Sequence, residues 1–308
     1  MIRAGWRLQR TETLVTAGML AALALLLIPT GLQMSSAYHH DGLSACLSPN
    51  ASFGCGRAVE SFMSRFSGIY SLAGWFNFVP ALAGVLLAAP FLLELEQGTF
   101  RLAWTQSITR GRWIAGKLGL AIGVALSAAL ILTLLITWWR TPFVHLQGRM
   151  GANVYDFEGT VVFGYALFPL GLAAALGAVW RRAVPALIVS FGVYVGVRVF
   201  FDSWVRQRLV APLTATWKAK TSGPDLSHAW VLAEGPSGPS GHIIPFHIGP
   251  CFPGRPRCTL NPPGHYMHAV YHPASHFWPL QGIETAIFAG VALVLLAFAA
   301  WWTHERVA

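Results

Sequence analysis

One segment of the sequence has glycine and lysine spacing that could cradle a phosphate. Gly111-Arg-Trp-Ile-Ala-Gly-Lys-Leu118 matches all but the last position of the nucleotide-binding pattern G-x-x-x-x-G-K-[ST]. Leucine has no hydroxyl for a magnesium ion, and Lys117 leads directly into an apolar run. The sequence therefore predicts that this chain binds no nucleotide and holds no cofactor of its own.

Histidines are the next candidates for chemistry. His268, His272 and His276 recur every four residues, but Pro273 would interrupt the helix that this spacing needs. We interpret them as incidental residues of a solvated loop and predict no metal site. The patterns H-E-x-x-H and G-x-S-x-G do not occur in the sequence, so we predict no catalytic residue. The same loop also contains His242, His247 and His265.

The composition indicates the solvent in which these residues lie. Charged residues make up 11% of the chain and hydrophobic residues 55%, whereas soluble proteins are about one quarter charged. A bilayer suits this composition, because a helix of about 20 apolar residues crosses the hydrocarbon with its backbone hydrogen bonds satisfied. The net charge of +9 comes from short clusters between apolar runs, so we exclude nucleic acid as a partner.

Six apolar runs are long enough to span a membrane, which predicts an all-α polytopic membrane protein. They cover about residues 14–34, 69–93, 115–139, 160–180, 183–202 and 282–302. Basic clusters precede the first run and lie between the second and third, between the fourth and fifth, and at the end. This places those segments and both termini in the cytoplasm. The first run is too long for a signal peptide.

The opposite face then carries a large extracytoplasmic insertion, residues 203–281, between the fifth and sixth helices. All four cysteines fall on this face, as the close pairs Cys46 with Cys55 and Cys251 with Cys258. On an oxidising face, such pairs predict two small-loop disulfides. Pairing between the two loops, four free thiols and a four-cysteine metal site are the alternatives that remain open.

Charged residues inside apolar spans are costly and mark candidate functional sites. Arg198 and Asp202 are spaced i, i+4 near the outer end of the fifth span, which predicts an ion pair on one helix face. We favour a structural role for this pair over contact with a substrate. A proton relay would need a chain of buried acids, and the spans show none.

Prolines can bend the second and fourth spans and make room between helices. Pro80 lies in the second span together with Phe76, Asn77 and Phe78. We predict that these four residues shape a central cavity for an apolar or amphipathic cargo.

The segment after the second span is dense in groups that need water or a partner. It runs Glu94-Leu-Glu-Gln-Gly-Thr-Phe-Arg-Leu-Ala-Trp-Thr-Gln-Ser-Ile-Thr-Arg-Gly-Arg-Trp113. Gly98 allows a turn, and residues 99–109 could form a short helix on the membrane surface. Composition alone is equally typical of an anchoring loop. In an anchoring loop, Trp104 and Trp113 would lie in the interfacial belt. The basic residues that would contact lipid phosphates are Arg110, Arg112 and Lys117.

Extended to Lys117, this segment resembles the first cytoplasmic loop of actinobacterial ABC-transporter permeases of the type-2 exporter class. The resemblance implies that the 94–114 loop holds a coupling helix docked on a separate subunit, which would hold ATP and magnesium. It also implies an amphipathic interfacial helix at residues 1–13. The residues implied to contact the ATPase are Glu94, Glu96, Gly98, Thr99, Arg101, Trp104, Thr105, Gln106, Thr109 and Arg110.

The resulting prediction is a non-catalytic permease subunit that exports a hydrophobic or amphipathic drug, lipid or peptide across the bacterial cytoplasmic membrane. It would pair with a second permease chain, as a homodimer, within the membrane lipids. The domain division is 1–13, 14–202, 203–281 and 282–308. The main alternative is a membrane sensor or assembly protein whose insertion recognises a ligand. An ion-coupled carrier ranks lowest, because internal repeats are not apparent.

Overall fold

A computed structural model of the protein describes residues 10–47, 55–105, 109–151, 155–219, 221–243 and 266–306. Within them, six helical segments are long and apolar enough to cross a membrane, which confirms the predicted polytopic helical fold. The interfacial helix expected before the first span falls largely on residues 1–9, outside the described residues. The six segments run Thr11–His40, Cys55–Gln97, Arg110–Gln147, Val161–Trp180, Ala183–Leu209 and Ala274–Arg306.

The regular secondary structure of the described residues is helical apart from one small sheet. Short 3-10 turns cover Leu43–Leu47, Gly74–Phe78 and Ala274–His276, and a π-helical turn covers Phe201–Val205. The helices are α1 (Arg10–His40), α2 (Cys55–Ala73), α3 (Val79–Gln97), α4 (Phe100–Thr105), α5 (Arg110–Gln147), α6 (Val161–Trp180), α7 (Ala183–Phe200), α8 (Arg206–Leu209) and α9 (Phe277–Arg306). The strands are β1 (Leu213–Lys218), β2 (Trp230–Ser237) and β3 (Tyr266–His272).

The second span differs from the continuous helix that residues 69–93 predicted. The 3-10 turn Gly74–Phe78 separates α2 from α3. Pro80 lies in the first turn of α3, where a missing N–H removes no helical hydrogen bond, so it starts a helix instead of bending one. The preceding α2 buries Phe62, whose ring lies 5.6 Å from that of Phe143 in α5.

The helices of the bundle pack around α6, which contacts α3, α5, α7 and α9. Small residues allow the closest approaches. A Cβ atom added to Gly84 of α3 would lie 2.2 Å from the carbonyl oxygen of Ala166, and one on Gly171 of α6 would lie 2.9 Å from that of Ala292. Such contacts are typical of membrane helices, because lipid provides no hydrophobic drive for association and close packing must supply it.

Apolar side chains also cover the outside of the bundle. On α7, Ala186, Ser190 and Tyr194 are buried at four-residue intervals, whereas Val184 and Ile188 are more than 60% exposed. An apolar face of this size needs lipid or another protein chain against it. This fits the membrane assignment and leaves α7 with one face that the described helices do not cover.

The segment between the fifth and sixth spans contains a sheet that the sequence prediction did not include. Its strands are antiparallel in the order β1-β3-β2. Leu213 of β1 pairs with Tyr271, and Trp230 of β2 pairs with His272, the last residue of β3. The sheet is therefore attached to the bundle through α8 on one side and the Ala274–His276 turn on the other.

Candidate functional site

The segment predicted to couple to an ATPase lies at one end of the bundle, which we call the α4 end. α3 ends at Gly98, whose φ of 69° lies in the left-handed region that glycine adopts without strain. The chain turns there into α4, a helix of six residues, and α5 begins at Arg110. A short helix therefore lies between the second and third spans, as the sequence predicted.

Glu94 joins the end of α3 to the start of α5. Lys117 Nζ donates to Glu94 Oε1, and Trp113 Nε1 donates to Glu94 Oε2 at 3.2 Å. The Lys117 side chain is only 6% exposed, and Trp113 is buried. The expectation that Lys117 meets lipid phosphates and Trp113 lies in the interfacial belt is therefore wrong, because the buried ammonium pairs with a partly buried carboxylate and the buried indole bonds to the same group.

Glu96 and Arg110 extend these contacts to two further spans. Glu96 Oε2 accepts the backbone N–H of Ala183, the first residue of α7, at 2.8 Å. Arg110 Nη1 donates to the carbonyl oxygen of His304, in the last turn of α9, at 3.2 Å. The resulting set of contacts links α3, α5, α7 and α9. We call its members the α4-end web: Glu94, Glu96, Arg110, Trp113 and Lys117.

Ring packing holds α4 against this web. The ring centroid of Trp104 lies 4.6 Å from that of Phe100 and 6.3 Å from that of Trp113. The Arg110 guanidinium lies 4.5 Å from the centroid of Trp104, a distance at which a cation is attracted to an indole face. A displacement of α4 would therefore be transmitted to α5.

The remaining predicted interface residues differ in exposure. Thr99, Arg101 and Thr109 are exposed, and Gly98 is half-buried. Thr105 is the last residue of α4, and Gln106 lies outside the described residues. Exposed groups on and beside α4 could thus meet a partner, whereas the carboxylates of the web bind the chain's own helices.

The four predicted cavity residues lie where α2 meets α3, beside α7. Tyr194 of α7 donates its hydroxyl to the carbonyl oxygen of Asn77 at 3.5 Å, and the Phe78 ring also faces α7. Oδ1 of Asn77 is buried and bonds to none of the described residues, while Phe76 packs against the main core. Pro80 lines a cavity of about 10 Å³, which has room for one water molecule and none for a cargo.

At the opposite end, which carries the sheet and which we call the sheet end, the predicted pairing of Arg198 with Asp202 is wrong. Arg198 Nη2 lies 2.7 Å from Asp156 Oδ2, and Asp202 pairs with Arg206. The cause is the π-helical turn Phe201–Val205, which begins between the two residues and changes the angular step of the helix. In a continuous α-helix, Arg198 and Arg206 would point about 80° apart. The wider turn instead brings both guanidinium groups to the same carboxylates.

These groups belong to a buried charge network. Arg206 Nε and Nη2 donate to Oε2 and Oε1 of Glu284 at 3.0 and 3.1 Å, a bidentate arrangement. Arg206 is 1% exposed and Glu284 is fully buried. The hydroxyl of Tyr165 donates to Glu284, and Arg198 lies 4.2 Å above the Tyr165 ring. We call the sheet-end network Asp156, Tyr165, Arg198, Asp202, Arg206 and Glu284.

A second buried pair fixes the same loop to α5. Arg140 Nη1 lies 2.7 Å from Glu158 Oε1, and both residues are nearly inaccessible. Burial raises the pKa of the Glu158 carboxyl, and the Arg140 guanidinium opposes that rise. The loop between α5 and α6 is therefore bound to the bundle by charges at both Asp156 and Glu158.

Sequence reasoning missed these buried acids. Glu284 lies within the apolar run 282–302, where a charge is costly and marks a candidate site, so the signal was present. Its partner Arg206 is 78 residues away in the sequence, which hid the pair. Both Asp156 and Glu284 contact arginine, so they form fixed ion pairs and not the succession of acids that a proton relay needs.

Only some of the cysteines and histidines discussed above lie among the described residues. Cys46 and Cys55 are bonded to each other, with Cα atoms 5.4 Å apart. Cys251 and Cys258 lie outside the described residues, as do His247 and His265. Among the residues that the structure describes, no three histidine, cysteine or acidic side chains converge as metal ligands.

The chain matches the model of a known protein family. The family described as "ABC-2 membrane transporter related" matches residues 17–206, from the first span to the residue at the centre of the sheet-end network. Comparisons with curated proteins and with solved structures gave no match. The matched region covers more than half of the chain and includes α4, the α4-end web, the second to fourth spans and most of the first and fifth. The chain therefore belongs to the ABC-2 membrane transporter related family and is a permease-type subunit of a membrane transport system.

Proposed function

We propose that this chain is the permease subunit of an ATP-driven exporter and that ATP is hydrolysed on a separate ATP-binding cassette subunit docked at the α4 end. The observation that carries the proposal is the α4-end web. It joins four spans at the end where the short helix α4 lies, and it includes the buried side chains of Lys117 and Trp113 together with the exposed carboxylate of Glu96. A purely anchoring loop has no need of such connections.

The web would convert movement of a docked ATPase into movement of the spans. Thr99, Arg101 and Thr109 provide exposed groups for docking. A push on α4 would pass through Trp104 to Arg110 and α5. Because separating Glu94 from Lys117 would break an ion pair between a buried ammonium and a partly buried carboxylate, α3 and α5 would move together at this end.

The cargo path lies between two copies of the chain in this proposal. The cavity beside Pro80 is too small to hold a cargo, whereas α7 presents an apolar face that the described helices leave uncovered. Asn77, whose Oδ1 bonds to none of the described residues, and Phe78 lie beside the same helix. A homodimer joined near α7 would enclose a largely apolar path with one amide, suited to a hydrophobic or amphipathic drug, lipid or peptide.

The basic residues at the α4 end support the orientation that we propose. Arg101, Arg110, Arg112 and the pair Arg181–Arg182 lie between or beside the spans at that end. Cytoplasmic loops are enriched in such residues. The proposal accordingly places the α4 end and both termini in the cytoplasm and the sheet on the outer side of the bacterial cytoplasmic membrane.

Native copurification tests the proposal. The chain should bring down a subunit with a complete P-loop, and ATP hydrolysis by the complex should fall at least about tenfold with Arg101→Glu on the exposed side of α4. Lys218→Glu, an equivalent charge reversal on β1 at the sheet end, is the matched control and should leave hydrolysis unchanged. Capture of a kinase or regulator without any P-loop subunit would refute export and support a sensor. Equal hydrolysis in both variants would refute docking at α4.

A further inference from the structure

A pair of histidines occupies the joint between the sheet and the bundle. His272 is the last residue of β3, and His276 ends the 3-10 turn that leads into α9. Their Nδ1 atoms lie 3.1 Å apart, and Nε2 of His272 lies 3.3 Å from the carbonyl oxygen of Gln207 in α8. His272 has no solvent-exposed surface. One buried imidazole thus contacts the end of the fifth span and the start of the sixth.

The surroundings of His272 fix which nitrogens carry hydrogen. A carbonyl oxygen only accepts, so Nε2 of His272 must donate to Gln207. In a neutral ring, Nδ1 of His272 then carries a lone pair, and Nδ1–H of His276 must donate to it. The neutral pair is therefore fully hydrogen-bonded with a single hydrogen between the two rings.

The pair tolerates one added proton but not two. After the first, one ring is an imidazolium that donates while the other keeps its lone pair, so the hydrogen bond remains. After the second proton is added, both Nδ1 atoms carry hydrogen and both rings are positive. Two N–H donors then face each other at a distance that only a hydrogen bond permits, and neither can accept. The rings must then separate.

The groups around His272 include no acid that could offset this charge among the described residues. β2 contributes the ring of Trp230, whose centroid lies 5.3 Å away, and α8 contributes only a carbonyl oxygen. Arg206, next to Gln207, directs its guanidinium to the carboxylates of the sheet-end network. His276 is the titratable group in contact with His272, and it adds positive charge.

We infer that His272 and His276 form an acid-sensitive joint, in which protonation of both rings releases the sheet from the ends of the fifth and sixth spans. The protons that open the joint come from the solution on the sheet side of the membrane. Separation of the rings would release the contact with Gln207 and loosen the Ala274–His276 turn. The sheet-end network, whose guanidinium and carboxylate groups are paired, would remain closed.

The pKa of His272 is shifted in the direction that an acid-sensitive joint requires. Burial lowers its pKa below the ordinary value of about 6.5, and His276 lowers it further, while the Gln207 carbonyl opposes the shift. A base whose folded pKa is lowered contributes stability that is complete above its unfolded pKa and is lost as pH falls toward the folded one. The joint should therefore be closed at neutral pH and open in acid.

Hydrogen exchange on the full chain in lipid nanodiscs tests the joint without any ATPase. Between about pH 7.5 and about pH 5, after correction for intrinsic rates, the amides of residues 272, 274–277 and 207–209 should exchange at least about tenfold faster. His276→Gln, whose neutral amide can donate or accept at His272, should abolish this acid response. His268→Gln is the matched control, since that histidine bonds Thr216 within the sheet and should not affect the joint.

Three results would overturn the inference. These are an unchanged exchange rate at the joint in acid, an acid response that persists in His276→Gln, and equal acid-induced exchange across the whole sheet. The last result would indicate general unfolding of the sheet, which the exchange rates of the paired residues Ala215 in β1 and Ala269 in β3 would show directly.

Discussion

Replacing Arg206 with methionine should destabilise the protein more than any other single change at the sheet end. Arg206 is 1% exposed and contacts the carboxylates of Asp156, Asp202 and Glu284. Without it, Arg198 would remain the described ion-pair partner of Asp156 and Glu284, and the partly exposed Asp202 would keep no described ion pair. Breaking a buried ion pair by removing one partner costs about 3–5 kcal/mol, because the remaining charges stay desolvated and unpaired.

The magnitude can be measured as a thermal shift in detergent. For proteins of this size, 1 kcal/mol corresponds to about 2 °C, so Arg206→Met should lower the unfolding midpoint by roughly 6–10 °C. The neighbouring Arg208 is exposed and donates to the carbonyl oxygen of Trp204. Arg208→Met is therefore the matched control, with an expected loss below about 1 kcal/mol.

A double-mutant cycle separates the ion pair from lost packing. Glu284→Met in the Arg206→Met background removes the stranded carboxylate, so the double variant should be more stable than the sum of the two single losses by at least about 1–2 kcal/mol. Strict additivity, or an Arg206→Met shift no larger than that of Arg208→Met, would refute the view that these charges hold the sheet end together.

Three further changes probe the same architecture. Thr160 and Thr285 have hydroxyl oxygens 2.9 Å apart, so Thr160→Cys with Thr285→Cys should form a disulfide that locks the start of α6 to α9. Under the proposed function, ATP hydrolysis by the complex should fall about tenfold and recover with reductant, whereas full activity of the locked form would show that transport needs no movement between α6 and α9. Gly84→Ala should cost about 1–3 kcal/mol, because its Cβ would meet the α6 backbone, while Gly123→Ala, with no atom within 4 Å, should be neutral; equal thermal midpoints would contradict the packing of α3 on α6. Cys46→Ser should lower stability by about 2–3 kcal/mol through loss of a short cross-linked loop, and an unchanged midpoint would show that the bond contributes nothing.

The spans were predictable from sequence because hydrophobicity and helix length are local properties. The segment containing α4 was also predictable, since Gly98 and the surrounding polar residues mark a turn between two apolar runs. The break before α3 was signalled by Pro80, which favours the first turn of a helix. The predicted span 69–93 places that proline inside one long helix and therefore misses the start of α3 at Val79.

The ion pairs were not predictable because they depend on register and on distant residues. Pairing Arg198 with Asp202 assumes a regular α-helix, and no feature of the sequence identified the π-helical turn that follows Phe200. Glu284 contacts Arg206, although the whole sheet segment separates the two residues in the sequence. That segment is rich in proline and glycine and shows no clear strand pattern. Local patterns fix helices, whereas the partners of buried charges follow from the tertiary fold.

The distribution of buried charge limits how the bundle can move. Ion pairs hold α3 to α5 at the α4 end and α8 to α9 at the sheet end, whereas between them α6 meets its neighbours through glycine and alanine. Separating the charges costs several kcal/mol, but small-residue contacts have no charges to strand and can shift with little loss. Movement transmitted through α4 should therefore tilt helices about α6 with both charged ends intact. Any larger opening at the sheet end requires that Arg206 first be separated from Glu284.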